Sequence, residues 1–131
     1  MDNIKEYLSQ LYYGHGSNKG QIALDNFASD LKMEMDSLLY VFIPETLNYE
    51  VDDNTIWLFT KNGIIRFQRI DNENVYKIIP LNSISNISLF FSRTRICIEF
   101  AYWGEKNSLN ACSSFNKNNL MSIYNALLNK I

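Results

Sequence analysis

The chain predicts an α+β fold: a helical hairpin, seven short antiparallel strands in a barrel or sandwich, and one closing helix. Three observations carry this. The hydrophobic period is helical up to about residue 36, becomes a series of short strand-like runs from Ser37, and is helical again from Asn116. At 131 residues the chain is about one domain in size and large enough to bury most of its apolar surface. It is 47% hydrophobic and 20% charged, with a formal net charge of -2 and a pI near 5.3. That balance offers nucleic acid and anionic membranes no global attraction. The opening "MDNIKEYLSQLYY" carries charges between its apolar positions, unlike a signal peptide, and no later run approaches a membrane span, so a soluble, cytoplasmic protein is expected. Its two cysteines make no disulfide scaffold and are expected as free thiols.

The elements follow in order. In "DNIKEYLSQLYYG", Ile4, Tyr7, Leu8, Leu11 and Tyr12 keep helical spacing between an Asp2 cap and a Gly14 stop. A second helix is expected over "QIALDNFASDLKMEM", ending near Met35, with Leu24, Phe27, Ala28, Leu31 and Met35 on one stripe. "LLYVFI" is a strand ended by Pro44, and "TIWLFTKNGIIRFQRI" reads as a hairpin turning on Asn62 and Gly63, the pair best suited to a type I′ turn. "VYKII", "ISNISLFF", "ICIEFAYW" and "NSLNACSSF" supply the remaining strands, with Pro80 ending the fourth where the chain leaves the first sheet. In "NKNNLMSIYNALLNKI" the stripe Leu120, Ile123, Tyr124, Leu127, Leu128 and Ile131 predicts a helix. Asn116 is its expected cap, and Phe115 with Leu120 its hydrophobic staple.

Seven antiparallel strands followed by one amphipathic helix resemble a bacterial pleckstrin-homology-like (PH-like) protein. "LFTKNGIIRF" is similar to a strand, turn and basic-hydrophobic strand of that group, and "IIPLNSISNI" to its crossing into the fifth strand. The resemblance implies a PH-like domain over residues 37–131, preceded by a helical hairpin over 1–36 packed on the barrel. It implies architecture and no active residue. Related folds bind peptides by adding a strand beside the fifth strand and the last helix, which here means "SNISLFF" and Ile123 to Leu128.

Parity then sorts the faces. With Asn62 and Gly63 as turn residues, Lys61 faces Ile64, and Ile56, Leu58, Ile65 and Phe67 share the side expected to be the barrel core. Trp57, Phe59 and Ile64, with Arg66 and Gln68, fall on the other side. That side is too apolar for water, so the N-terminal helices, or else a dimer or partner, are expected to cover it. A Gly104-Glu105 turn sets Cys97 opposite Cys112 and Glu99 opposite Asn110 on the outer face, as two unremarkable thiols rather than a redox switch or half of a metal site.

Little in the sequence points to catalysis. His15, the only histidine, lies in a Gly-flanked loop without a nearby Cys or second His. Asp52, Asp53 and Asn54 lack the rest of a calcium loop, and no Gly-rich phosphate loop or nucleophile elbow is present. No catalytic, cofactor or metal residue is assigned. Arg66, Arg69, Arg93 and Arg95 are spread over different elements and form no nucleic-acid stripe. The loops after the first, third and sixth strands carry Glu45, Glu50, Asp52, Asp53, Asp71, Glu73 and Glu105 against Lys106 alone, an acidic rim that would repel anionic lipid. The expected function is a non-enzymatic interaction module for a protein or peptide. A peripheral membrane module and an unrecognised enzyme are the alternatives, and a homo-oligomer stays open.

Overall fold

The structure, a computed structural model, describes residues 2–11, 19–32, 37–46, 51 and 54–129. Helices α1 (Asp2–Leu11) and α2 (Lys19–Leu31) precede strands β1 (Leu38–Phe42), β2 (Thr55–Thr60), β3 (Gly63–Ile70) and β4 (Glu73–Pro80). After a 3-10 turn over Leu81–Ser83 come β5 (Ile84–Phe91), β6 (Ile96–Tyr102), β7 (Glu105–Ala111) and the closing helix α3 (Ser114–Leu128). The strands form two antiparallel sheets, β1-β2-β3-β4 and β5-β6-β7, and do not close into a barrel. Pro80 is the last residue of β4, and the turn after it carries the chain from one sheet to the other, as its lost ladder donor predicts. The second helix stops at Leu31, four residues short of Met35, and Lys32 follows at φ 52°. Gly14, His15, Met35, Glu50, Asp52, Asp53 and Ile131 lie outside the described residues.

The parity grouping on the first hairpin holds, but the two faces exchange roles. Trp57, Phe59 and Ile64 point between the sheets, packed with Phe42, Ile79, Ile98, Phe100, Leu109 and the α3 residues Leu120, Ile123 and Leu127. The Trp57 and Phe100 rings meet edge-on at 5.6 Å. Ile56, Leu58, Ile65 and Phe67 form the outer face, and Ile4, Tyr7, Leu8 and Phe27 of the N-terminal helices cover it. Strand β2 and the start of β3 are therefore buried on both sides, while β4 stays largely exposed, and β2 shows no polar alternation because neither of its faces meets water. Arg66 shares the Trp57 side. It lies at an open end of the inter-sheet space, where the second sheet supplies its partners.

Two turns differ from expectation by two residues, a shift that conserves parity. Phe59 pairs with Ile64, so Lys61 and Asn62 make the first turn and Gly63 begins β3. The Thr60 hydroxyl builds this bend, accepting from the Asn62 and Gly63 amides and donating to the Gly63 carbonyl. Gly63 is needed for closeness rather than for positive φ: a Cβ there would lie 2.7 Å from the Ile79 carbonyl oxygen. On the second sheet, Tyr102 pairs with Glu105, and the turn falls on Trp103 (φ 51°) and Gly104 (φ 77°). Glycine takes the second place, as in an Asn-Gly turn, and a type I′ turn needs positive φ at both. Asp71 and Asn72, at φ 49° and 67°, turn β3 into β4 in the same way.

Helix α3 starts at Ser114, which makes Asn116 an interior helical residue and not a cap. Asn116 is wholly buried and donates to the Ile43 carbonyl at 3.1 Å and Glu45 Oε1 at 2.7 Å. It also accepts from the Tyr7 hydroxyl at 2.8 Å, which in turn takes the Ile43 N–H at 2.9 Å. The same Glu45 oxygen receives the Cys112 and Ser113 amides and the Ser113 hydroxyl, so a carboxylate distant in sequence caps the helix. Phe115 and Leu120 enter different clusters and form no staple, Phe115 standing 6.4 Å from the Tyr7 ring. Of the predicted stripe, Leu120, Ile123 and Leu127 are buried, Tyr124 partly so, and Leu128 is exposed.

Candidate functional site

No catalytic constellation assembles among the described residues, and no group of three or more His, Cys, Asp or Glu there could hold a metal ion. Cys97 pairs with Asn110, not with Cys112. Cys112 lies beyond the end of β7, its thiol donating to the Thr46 carbonyl at 3.2 Å. Both thiols are free and buried. Desolvation pushes both pKa values up, aided at Cys112 by the Glu45 charge, so neither is an activated nucleophile.

The expected acidic rim does not stand as counted. Glu45 is buried in the α3 cap, and Glu105 is bound to Lys77 and to Arg66, with Arg66 Nη1 at 3.1 Å. Those contacts, Lys77 first, hold the Glu105 carboxyl below the ordinary carboxylate range. Arg66 also donates to Asn107 Oδ1 at 2.9 Å and lies over the Trp57 ring. Beside it is a gap of about 420 Å³ where the first sheet and β7 fail to meet, crossed by one backbone bond, Glu45 N–H to the Asn110 carbonyl at 3.1 Å. Of its ionic groups, Arg66 is paired with Glu105, Lys106 with Glu99, and Glu45 is taken up by the α3 cap.

The β5 edge differs in being open. Strand β5 is the outer strand of its sheet, so one side of its backbone has no neighbouring strand. Which residues face that side follows from antiparallel alternation. Ser92 N–H donates to the Arg95 carbonyl at 3.0 Å, so the next pair, Phe91 with Ile96, is a non-bonded one. Phe90 then bonds to Cys97, and Leu89, opposite Ile98, is again non-bonded. The far side of β6 agrees: the Asn110 carbonyl given to Glu45 faces away from β6, so its partner Cys97 turns its own amide and carbonyl toward β5. Leu89 and Phe91 thus direct two N–H and two C=O groups outward.

Around this edge Phe90 is 48% and Phe91 66% exposed. Phe90, Phe91, Ser92, Arg95, Cys97 and Glu99 line a groove of about 320 Å³. Arg95 Nη1 donates to Oδ1 of Asn110, the residue paired with Cys97. Toward the start of β5, Asn86 sits at φ 55° and the pairing register shifts between Ser85 and Ser88. This bulge ends the regular edge. "SNISLFF" reads as an edge from the sequence, but the bulge within it and the Arg95–Asn110 bridge are set by register and are not legible there.

A solved structure of a PH domain-containing bacterial protein from Exiguobacterium sibiricum 255-15 has the same fold, with a TM-score of 0.53 and 16% sequence identity over 80% of this chain. This chain is PH-like in architecture. It spans 57% of the length of that protein, and at such identity the likeness is one of fold. No protein-family model matches the sequence, and no curated protein does.

Proposed function

We propose that the chain is a non-enzymatic interaction module that receives an extended segment of a protein partner along the β5 edge, between Ser88 and Phe91. The open backbone groups of Leu89 and Phe91 carry this reading: an added strand satisfies them directly, while the side chains beside them supply selectivity. Phe90 and Phe91 provide exposed aromatic area of the kind that anchors interfaces. A cytoplasmic setting with reduced thiols fits the two free cysteines. The test is site-specific photo-crosslinking in the native host, with a benzophenone side chain at Phe91 and, as control, at the exposed Ser29 on α2. A discrete adduct from position 91 alone supports the edge. Equal adducts from both positions, or none from 91, overturn it.

A further inference from the structure

We infer that the segment received at the β5 edge is acidic, with an apolar residue lying over the Phe90–Cys97 groove and carboxylates beside the β5–β6 turn; this rests on the reading of Ser88–Phe91 as the docking frame. Two cations stand at that end of the edge. Arg93 is exposed and makes no ion pair among the described residues. Arg95 gives its guanidinium to the neutral Asn110 amide and makes no ion pair among the described residues. The groove's own carboxylate, Glu99, is held by Lys106 at 3.2 Å. An anionic segment is therefore complementary and a basic one is repelled.

The backbone sets where those charges must fall. The Asn86 bulge closes the edge toward the start of β5, so an added strand is confined to Ser88–Phe91 and continues past Phe91 alongside the turn. At about 3.4 Å per residue, one or two residues beyond the paired stretch bring a carboxylate level with Arg93 and Arg95. Alternate side chains of the added strand point to the Phe90 side, where the groove of about 320 Å³ has room for one apolar side chain above the buried Cys97.

The experiment is selection of short random peptides on the full chain, on Phe91→Pro and on Arg93→Ser. Proline at 91 removes an outward N–H without breaking a β5–β6 bond, and Phe91→Ser serves as comparator because it trims the ring and keeps the donor. Circular dichroism and thermal unfolding establish that each variant folds. If Phe91→Pro does not fold, amide shifts of Leu89 and Phe91 in the unmodified chain, on adding the best peptide, take its place.

The expected result is enrichment of peptides with excess Asp and Glu. Their affinity should fall about fivefold for the lost edge bond, and about two- to fivefold for Arg93→Ser or on raising salt. Enriched peptides that are neutral or basic yet still depend on the Phe91 amide overturn the acidic inference and leave the edge reading standing. No enrichment, or enrichment indifferent to Phe91→Pro with no shift at Leu89 and Phe91, overturns the edge reading itself. Sedimentation with phosphatidylcholine–phosphatidylserine vesicles that requires Phe91 and Arg93, without peptide enrichment, overturns both in favour of a lipid surface.

Discussion

Asn116 ties three parts of the chain together through one amide: α1 by Tyr7, the exit of β1 by the Ile43 carbonyl, and the α3 cap by Glu45. Removing it strands several buried polar groups at once, so Asn116→Ala should cost about 2–3 kcal/mol, more than the roughly 1 kcal/mol of Tyr7→Phe. Urea unfolding of both variants and of the double variant checks this, and the double-variant loss should fall short of the sum because the two share a bond. Trp57 tests the exchanged faces. Buried between the sheets against Phe100, it should cost about 3–5 kcal/mol on replacement by alanine. A loss near zero would mean that the indole is outside. Gly63→Ala should also destabilise, because the added methyl must push back the Ile79 carbonyl; a variant as stable as the parent would show that the strands give way easily.

At the scale of elements, the N-terminal helices are a cover for the outer face of the first sheet. Phe27 is fully buried in that layer, and the Asp30 carboxylate on α2 accepts from the Tyr76 hydroxyl at 2.7 Å and the Asn74 amide at 3.1 Å on β4. Deleting residues 1–36 should uncover Ile56, Leu58, Ile65 and Phe67 and cause self-association, measurable by light scattering. A monomeric 37–131 fragment of full thermal stability would contradict the role. The latch is pH-dependent on both sides. The Tyr76 bond, then the Asn74 bond, hold the Asp30 pKa below its ordinary 3.8, so its contribution is complete above about pH 4 and is lost as the pH falls through the lowered value. Burial, then the Asp30 contact, raise the Tyr76 pKa above 10.0, so its contribution holds below about pH 10 and fades in stronger alkali. Amide protection factors in α2, corrected for the intrinsic exchange rate at each pH, should fall at both extremes, and Asp30→Asn should flatten the acid limb. An unchanged acid limb would place the acid sensitivity in another group.

For the whole molecule, most of the architecture was legible because local chemistry and global fold agree: seven strands, the sheet switch at Pro80 and the closing helix follow from periodicity and punctuation. Parity was legible too, since a two-residue slip leaves every side chain on its face. What was not legible needs two surfaces at once. Both faces of the β2–β3 hairpin are apolar, and only the position of the second sheet decides which is inner. Likewise Glu45 and Glu105 read as rim charges until residues far along the chain meet them. The open β5 edge belongs to this scale, because it exists only where the two sheets end without closing. Amide hydrogen exchange of the unliganded full chain, read residue by residue along Ser88–Phe91, tests it most directly. The Leu89 and Phe91 amides should exchange far faster than those of Ser88 and Phe90, which bond to β6. Equal, strong protection of all four would mean that another strand already occupies the edge and would contradict the account.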